Sequence, residues 1–347
     1  MGKLGFTQGL VALLALFLLA EGGQGRTAYA ISAADFYKGK TITFIVFSSP
    51  GGGYDVLARL LAPYVKKYSK ADKVIVRNMP GAGGSVAWNY MYGVAKPDGL
   101  TIAVGSGMSM VLDELLGEAA VKYQFANFEW LGRIDFDAPT IAVAKNSPYQ
   151  TLEDIKKAPL FKFGATGRTN MFGVMPVVTG LSLGAQNFKV VAGYKGGAEV
   201  QLATIRGEVN SLTSSYPSIK GQVDSGDLVV KAVISHKRMS DLPNVPTLFE
   251  LVPKVPTEAK RWMEMLITTN ELGRILLTSP KIPKDKVDFL NGVIKGALHD
   301  KEFVAKGKKM AKYVDYLSPA EQREQLKALT LTPEDKKHLK YLLFEKY

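Results

Sequence analysis

The chain has no cysteine in its 347 residues. That absence excludes disulfides, cysteine-ligated zinc, thiol nucleophiles and a lipidated N-terminal cysteine. Histidine is scarce: His236, His299 and His338 are far apart and show no H-E-x-x-H spacing, so no metal site is expected. There is no G-x-S-x-G elbow, no paired-carboxylate motif and no cofactor-lysine motif. Neither a catalytic residue nor a cofactor is therefore expected. No apolar run is long enough to span a bilayer. Basic residues outnumber acidic ones, 44 to 32, yet no basic run is interleaved with aromatics, which argues against nucleic acid as a partner.

Residues 1–30 read as a targeting segment. Lys3 supplies a positive start, residues 10–20 an apolar stretch, and Ala28-Tyr29-Ala30 a small-x-small cleavage site. The expectation is export, with cleavage after Ala30 and a mature protein in the periplasm. A buried N-terminal helix is the competing reading.

The full chain is 46% hydrophobic, and after residue 30 it alternates strand and helix signals. Residues 42–47 form an apolar strand pattern that ends in the turn Ser48-Ser49-Pro50-Gly51-Gly52-Gly53-Tyr54-Asp55. Residues 55–68 follow as a one-faced helix, which Pro63 should kink. Residues 74–76 then lead into a second glycine turn, Asn78-Met79-Pro80-Gly81-Ala82-Gly83-Gly84-Ser85. Glycine allows the backbone to turn sharply and approach a ligand, and a helix opening there aims N–H groups and positive dipole at an anion. Neither turn carries a G-x-G-x-x-G or P-loop spacing, so together they read as a socket for a small anion rather than a nucleotide. Asp55, in the first helical turn, reads as a brace for its loop.

Further strands lead into Thr166-Gly167-Arg168-Thr169-Asn170, into Gly193 to Gly197, and into Ser214-Ser215. Arg168 has the chemistry to pair with a carboxylate in bidentate fashion or to face solvent. Thr169 and Asn170 suit a helix cap or a ligand contact. Residues 130–143 read as one long extended segment interrupted at 135–139, and residues 272–278 as a strand returning to the first block. This alternation predicts mostly parallel α/β sheets with ligands at the carboxyl ends of the strands.

With these residues in view, the chain resembles the extracytoplasmic solute receptors of tripartite tricarboxylate transporters. The resemblance is carried by Pro50-Gly51-Gly52-Gly53-Tyr54-Asp55, Asn78-Met79-Pro80-Gly81-Ala82-Gly83-Gly84 and Lys96-Pro97-Asp98-Gly99, then Tyr194-Lys195-Gly196-Gly197-Ala198-Glu199, Arg206-Gly207-Glu208-Val209 and Leu242-Pro243-Asn244-Val245-Pro246-Thr247. It implies a two-lobed, type II periplasmic binding protein, each lobe a mostly parallel sheet flanked by helices, with the ligand cleft between them. Lobe one would hold residues 31–137 and 272–347, including the C-terminal helices; lobe two would hold 138–271. It implies a small organic acid, a mono- or dicarboxylate, held by Ser48, Ser49, Gly52, Gly53, Tyr54, Ala82, Gly83 and Gly84 from one lobe, and by Thr166, Gly167, Arg168, Thr169, Asn170, Ser214 and Ser215 from the other. It further implies a monomeric receptor delivering to a large and a small membrane subunit. A sensor feeding a signalling partner and a secreted hydrolase remain as alternatives. The chain departs from the family pattern at Tyr54-Asp55, where Thr-Asp is common, so a bulky ring is expected to re-line the pocket.

Overall fold

The frame of the molecule is two mixed sheets of the same design. The computed structural model describes residues 32–185, 187–310, 314–327 and 329–347, and the expected export signal over 1–30 lies outside them. In chain order the strands are β1 (Thr41–Val46), β2 (Lys73–Asn78), β3 (Thr101–Ser106), β4 (Glu129–Asp135), β5 (Pro139–Ala144), β6 (Phe161–Ala165), β7 (Phe188–Ala192), β8 (Ser211–Ser215), β9 (Leu228–Val233) and β10 (Arg274–Thr278).

The first sheet has the order β2-β1-β3-β10-β4 and the second β7-β6-β8-β5-β9. In each, three parallel strands are followed by one antiparallel strand that arrives from the other lobe: β10 between β3 and β4, and β5 between β8 and β9. The extended segment expected over 130–143 is thus two strands, β4 and β5, in different sheets. Phe136, Asp137 and Ala138 carry the chain across between them.

Helices cover the sheets because their apolar stripes match buried strand faces. Helix Gly53–Ser69 buries Leu57, Ala58, Leu61, Ala62, Tyr64 and Val65 in the same core as Ile42, Phe44 and Val46 of β1. The helix continues through Pro63, which lies on its exposed face. Two helices join the lobes. Helix Gly107–Leu115, before the first crossover, puts Met108 and Leu112 into the second sheet's core beside Phe163 and Val174. Helix Thr257–Glu271 adds Trp262, Met263, Leu266 and Ile267 to that same core.

The C-terminal tail does not follow the expected assignment to lobe one. Leu339, Leu342, Leu343 and Tyr347 are buried in the second sheet's core. The Tyr347 ring stacks on Phe188 with centroids 4.3 Å apart, and the Val190 N–H donates to the Tyr347 carbonyl at 3.2 Å. The tail therefore covers β7, an edge strand that would otherwise present unpaired backbone groups.

Candidate functional site

The carboxyl ends of both sheets open onto one cavity of about 1130 Å³ lined from both lobes. Four helices begin there with no side-chain cap on their first turn. They are Gly53–Ser69 after Gly52, Ser85–Gly93 after Gly84, Gly197–Ile205 after Gly196, and Tyr216–Asp224 after Ser215. Elsewhere Thr151, Thr247 and Thr332 each close a full capping box. First-turn N–H groups have no intrahelical acceptor. Glu199 N donates back to Gly196 O at 3.1 Å and Pro217 has no N–H; the other first-turn groups have no side-chain cap, and the helix dipoles favour negative charge at the cavity.

The first glycine turn is held rigid from below. The Asp55 carboxylate accepts from Gly51 N at 2.8 Å, Arg59 Nε at 3.0 Å and Asn78 Nδ2 at 3.0 Å, while Asn78 also donates to Ser48 O at 2.9 Å. Arg59 above all, with the Gly51 and Asn78 hydrogen bonds and against the cost of burial, holds the Asp55 carboxyl down to about 2. Asp55 is thus the brace anticipated from its place in the first turn. Beneath the second turn an aromatic floor forms: Phe47 lies edge-on to Tyr54 at 4.6 Å and stacked with Trp88 at 5.9 Å. Gly84 sits on it with φ +113°, and a Cβ there would meet the Phe47 ring at 2.5 Å. Only glycine fits this position.

The second lobe contributes hydroxyls and amides. The whole of β8 is buried although it is Ser-Leu-Thr-Ser-Ser, so each hydroxyl needs an acceptor. Ser211 Oγ donates to Ala142 O, Thr213 Oγ1 donates to Met171 O, and Ser215 Oγ pairs with Ser218 Oγ at 2.8 Å. Ser214 Oγ, in a residue 1% exposed, has no partner, and neither has Ser48 Oγ across the cavity. An unsatisfied buried hydroxyl costs about 1–3 kcal/mol, so two of them on facing walls mark where a polar ligand group belongs.

The expected residues Ser48, Ser49, Gly53, Tyr54, Gly83, Gly84, Thr166, Gly167, Thr169, Asn170, Ser214 and Ser215 all line the cavity. Gly52, Ala82 and Arg168 are not among the lining residues. Arg168 turns away from the cavity: Nη1 donates to Leu343 O at 2.9 Å and to Tyr347 O at 3.0 Å, and Nη2 to Val190 O at 3.1 Å. It anchors the C-terminal tail, and its three carbonyl partners come from segments too far off in sequence for a loop motif to show. Asn170 caps its helix, accepting from Phe172 N, and donates to Thr166 Oγ1.

Similarity to known proteins agrees with this geometry. A family model for TctC, the tripartite tricarboxylate transporter family receptor, matches residues 57–279, more than half of the chain. The chain belongs to that family. It is 26% identical over 249 residues to Protein BugT of Bordetella pertussis, covering 70% of this chain and 73% of that one. Among solved structures it superposes on an R. palustris protein with adipate at TM-score 0.68 and 20% identity, covering 88% and 97% of the two chains. It also superposes on MatC of Rhodopseudomonas palustris with bound malate at TM-score 0.66 and 17% identity, covering 84% and 96%. These likenesses show the two-lobed periplasmic binding protein fold.

This TctC-family chain has a charged group at the cleft that the motifs did not indicate. Arg274, the first residue of β10, pairs through Nη1 with Asp135 and through Nη2 with Asp137 at 2.7 Å, and lies over the Tyr54 ring at 5.6 Å. Burial disfavours the guanidinium charge, but the two carboxylates outweigh it and Arg274 stays firmly protonated. Burial likewise raises the Tyr54 phenol. All four residues line the cavity. Two of them lie at the interruption already noted at 135–139, which was the available signal; Arg274 joins them only because β10 returns beside β4.

Proposed function

We propose that this chain is a periplasmic solute receptor that captures a small organic acid between its lobes and delivers it to the large and small membrane subunits of a tripartite tricarboxylate-type transporter. The observation that carries this reading is the convergence of four uncapped helix N-termini on one inter-lobe cavity. Hydrogen bonds to a charged group contribute about 1.5–3 kcal/mol each. Three or four of them, after the cost of closure, suffice for micromolar affinity, roughly −8 kcal/mol. The ligand carboxylate sits on the turns at 48–54 and 83–84, and the second lobe closes over it with Thr166, Thr169, Asn170 and Ser214 and with the backbone that follows Ser215.

The malate and adipate of the structural neighbours support a carboxylate as ligand. Binding without catalysis fits the cavity lining, which includes serines but no histidine to act as their base. Among the described residues no helix is long and apolar enough to cross a membrane. Export requires removal of residues 1–30, so the secreted protein should begin at Ile31 by mass spectrometry and run as a monomer on gel filtration. The central test is a thermal-shift screen of mono-, di- and tricarboxylates and aromatic acids. A carboxylate that binds should raise the melting temperature, and the rise should grow with the logarithm of its concentration above the Kd. No shift with any carboxylate, against a clear shift with an uncharged solute, would sink the reading.

A further inference from the structure

Behind the second glycine turn stands a buried carboxyl to which ligand capture as described gives no task. Asp113 belongs to helix Gly107–Leu115, which joins the lobes, and is 5% exposed. A Cβ on Gly83 would stand 3.5 Å from its Oδ2, and Thr169 of the second lobe donates to it. Gly83 and Thr169 both line the cavity, so the carboxyl sits directly behind the wall where the two lobes meet. Its titratable neighbours are Glu118 and the Tyr123 phenol, which burial keeps protonated. Glu114, next on the helix, accepts from Phe125 N and feels the charge of Lys336. Among the described residues no cation pairs with Asp113. An ionised carboxylate there is buried without a counter-charge, and burial pushes the carboxyl up to about 6.

We propose that Asp113 couples ligand capture to proton uptake: an anion seated on the turn at 83–84 drives the Asp113 carboxylate to take a proton from bulk solvent, and releases it on leaving. The inference rests on the carboxylate-receptor reading and adds the proton to it as a second, linked ligand. Two like charges separated by one layer of backbone repel through a poorly screened interior. Protonating Asp113 removes that repulsion while leaving the carboxyl able to hydrogen-bond Thr169. Linkage makes the effect reciprocal, so affinity rises as pH falls. It is highest where the empty protein already holds the proton, below about pH 6, and falls with rising pH until the bound form ionises too.

Calorimetric titration of the extensively dialysed mature chain tests this with acetate, malate, adipate, tricarballylate and benzoate. Repeating each titration in buffers of different ionisation enthalpy counts the protons exchanged. At pH 7 a carboxylate that binds should bring in roughly half a proton, and its affinity should fall about three- to tenfold from pH 6.5 to 8.5. Asp113→Asn keeps the size of the side chain and cannot ionise. It should lose the uptake and bind about tenfold more tightly than the wild type at pH 8.5, a gain that a merely structural role does not produce. Its melting temperature checks folding, and the wild-type proton count stands without it. If a carboxylate binds the wild type with no proton uptake, or if Asp113→Asn retains the uptake, the inference is overturned while the carboxylate receptor stands. If none of these acids binds even at pH 6.5, the carboxylate reading itself falls, and the proton linkage with it.

Discussion

The two lobes share one strand plan and meet the same cavity with opposite chemistry. Each sheet places three parallel strands beside an antiparallel strand from its partner. The first lobe supplies backbone turns over an aromatic floor together with three fixed charges, Asp135, Asp137 and Arg274. The second supplies hydroxyls and amides and, among the described residues, no charged lining side chain. A rigid, charged wall opposite a neutral, hydroxyl-rich one divides the work. The first lobe sets where charge sits, and the second lines the cavity with neutral hydrogen-bonding groups. In both lobes sheet topology places loops at the cleft, while the residues in those loops determine what each half can bind.

Substitutions at corresponding glycines should expose this difference most strongly. Gly84→Ala places a methyl at φ +113° within 2.5 Å of the Phe47 ring, so it strains the backbone and disrupts the aromatic floor. We expect a stability loss of about 3–4 kcal/mol and loss of measurable ligand binding, read by denaturant melts and calorimetry. In the second lobe Gly197→Ala meets only the far end of the Phe172 ring at 2.9 Å, at an ordinary φ. It should cost less than half as much. Equal losses would mean that the first lobe's turn is no more constrained than the second's.

Arg168→Ala comes next and separates framework from site. Its guanidinium satisfies three carbonyls that join the cleft loop to the C-terminal tail. Removing it should destabilise the protein by about 2–3 kcal/mol. Affinity at saturating stability should fall less than threefold, since the side chain points away from the cavity. A large loss of affinity with an unchanged melting temperature would return Arg168 to the ligand.

A pH titration then tests the contact between the lobes. Asp113, on helix Gly107–Leu115, is 5% exposed and accepts a hydrogen bond from Thr169 of the second lobe. Burial pushes its carboxyl up to about 6, with the Thr169 bond opposing. The folded state therefore favours the protonated form. Its contribution to stability is complete below the unfolded value near 4 and is lost as pH rises through about 6. The loss should be on the order of 2–3 kcal/mol, and Asp113→Asn should flatten the profile between pH 4 and 7. A melting temperature that rises across this window in both proteins would contradict the assignment.

The sequence carried the architecture further than the site. Periodicity and the turn residues after each strand located the cleft-facing loops, because a glycine or serine turn at a strand's carboxyl end is a local feature. Asp55 was legible as a brace for the same reason: a carboxylate in a first helical turn acts within four residues. Arg168 and Arg274 were not legible. Both lie beside suitable strands, and what separates them is distant in sequence. Arg168 meets a tail some 175 residues away, and Arg274 meets aspartates 139 and 137 residues away. The tail's attachment to the second lobe was hidden likewise, since Leu339, Leu342 and Leu343 could serve either core.

The smallest expected effect gives the cleanest test of the second lobe's role. Ser214 Oγ is buried and has no hydrogen-bond partner among the described residues. Ser215, its neighbour on β8, already bonds Ser218. Ser214→Ala removes a group that gains nothing in the ligand-free state, and the melting temperature without ligand should stay level or rise slightly. With ligand, one hydrogen bond is lost, and affinity should fall about tenfold, or ~1.4 kcal/mol. Ser215→Ala should do the reverse, lowering the ligand-free melting temperature and leaving affinity nearly unchanged. If Ser214→Ala destabilises the empty protein while affinity holds, the second lobe's hydroxyls belong to its framework, and recognition rests with the charged and glycine-lined wall opposite.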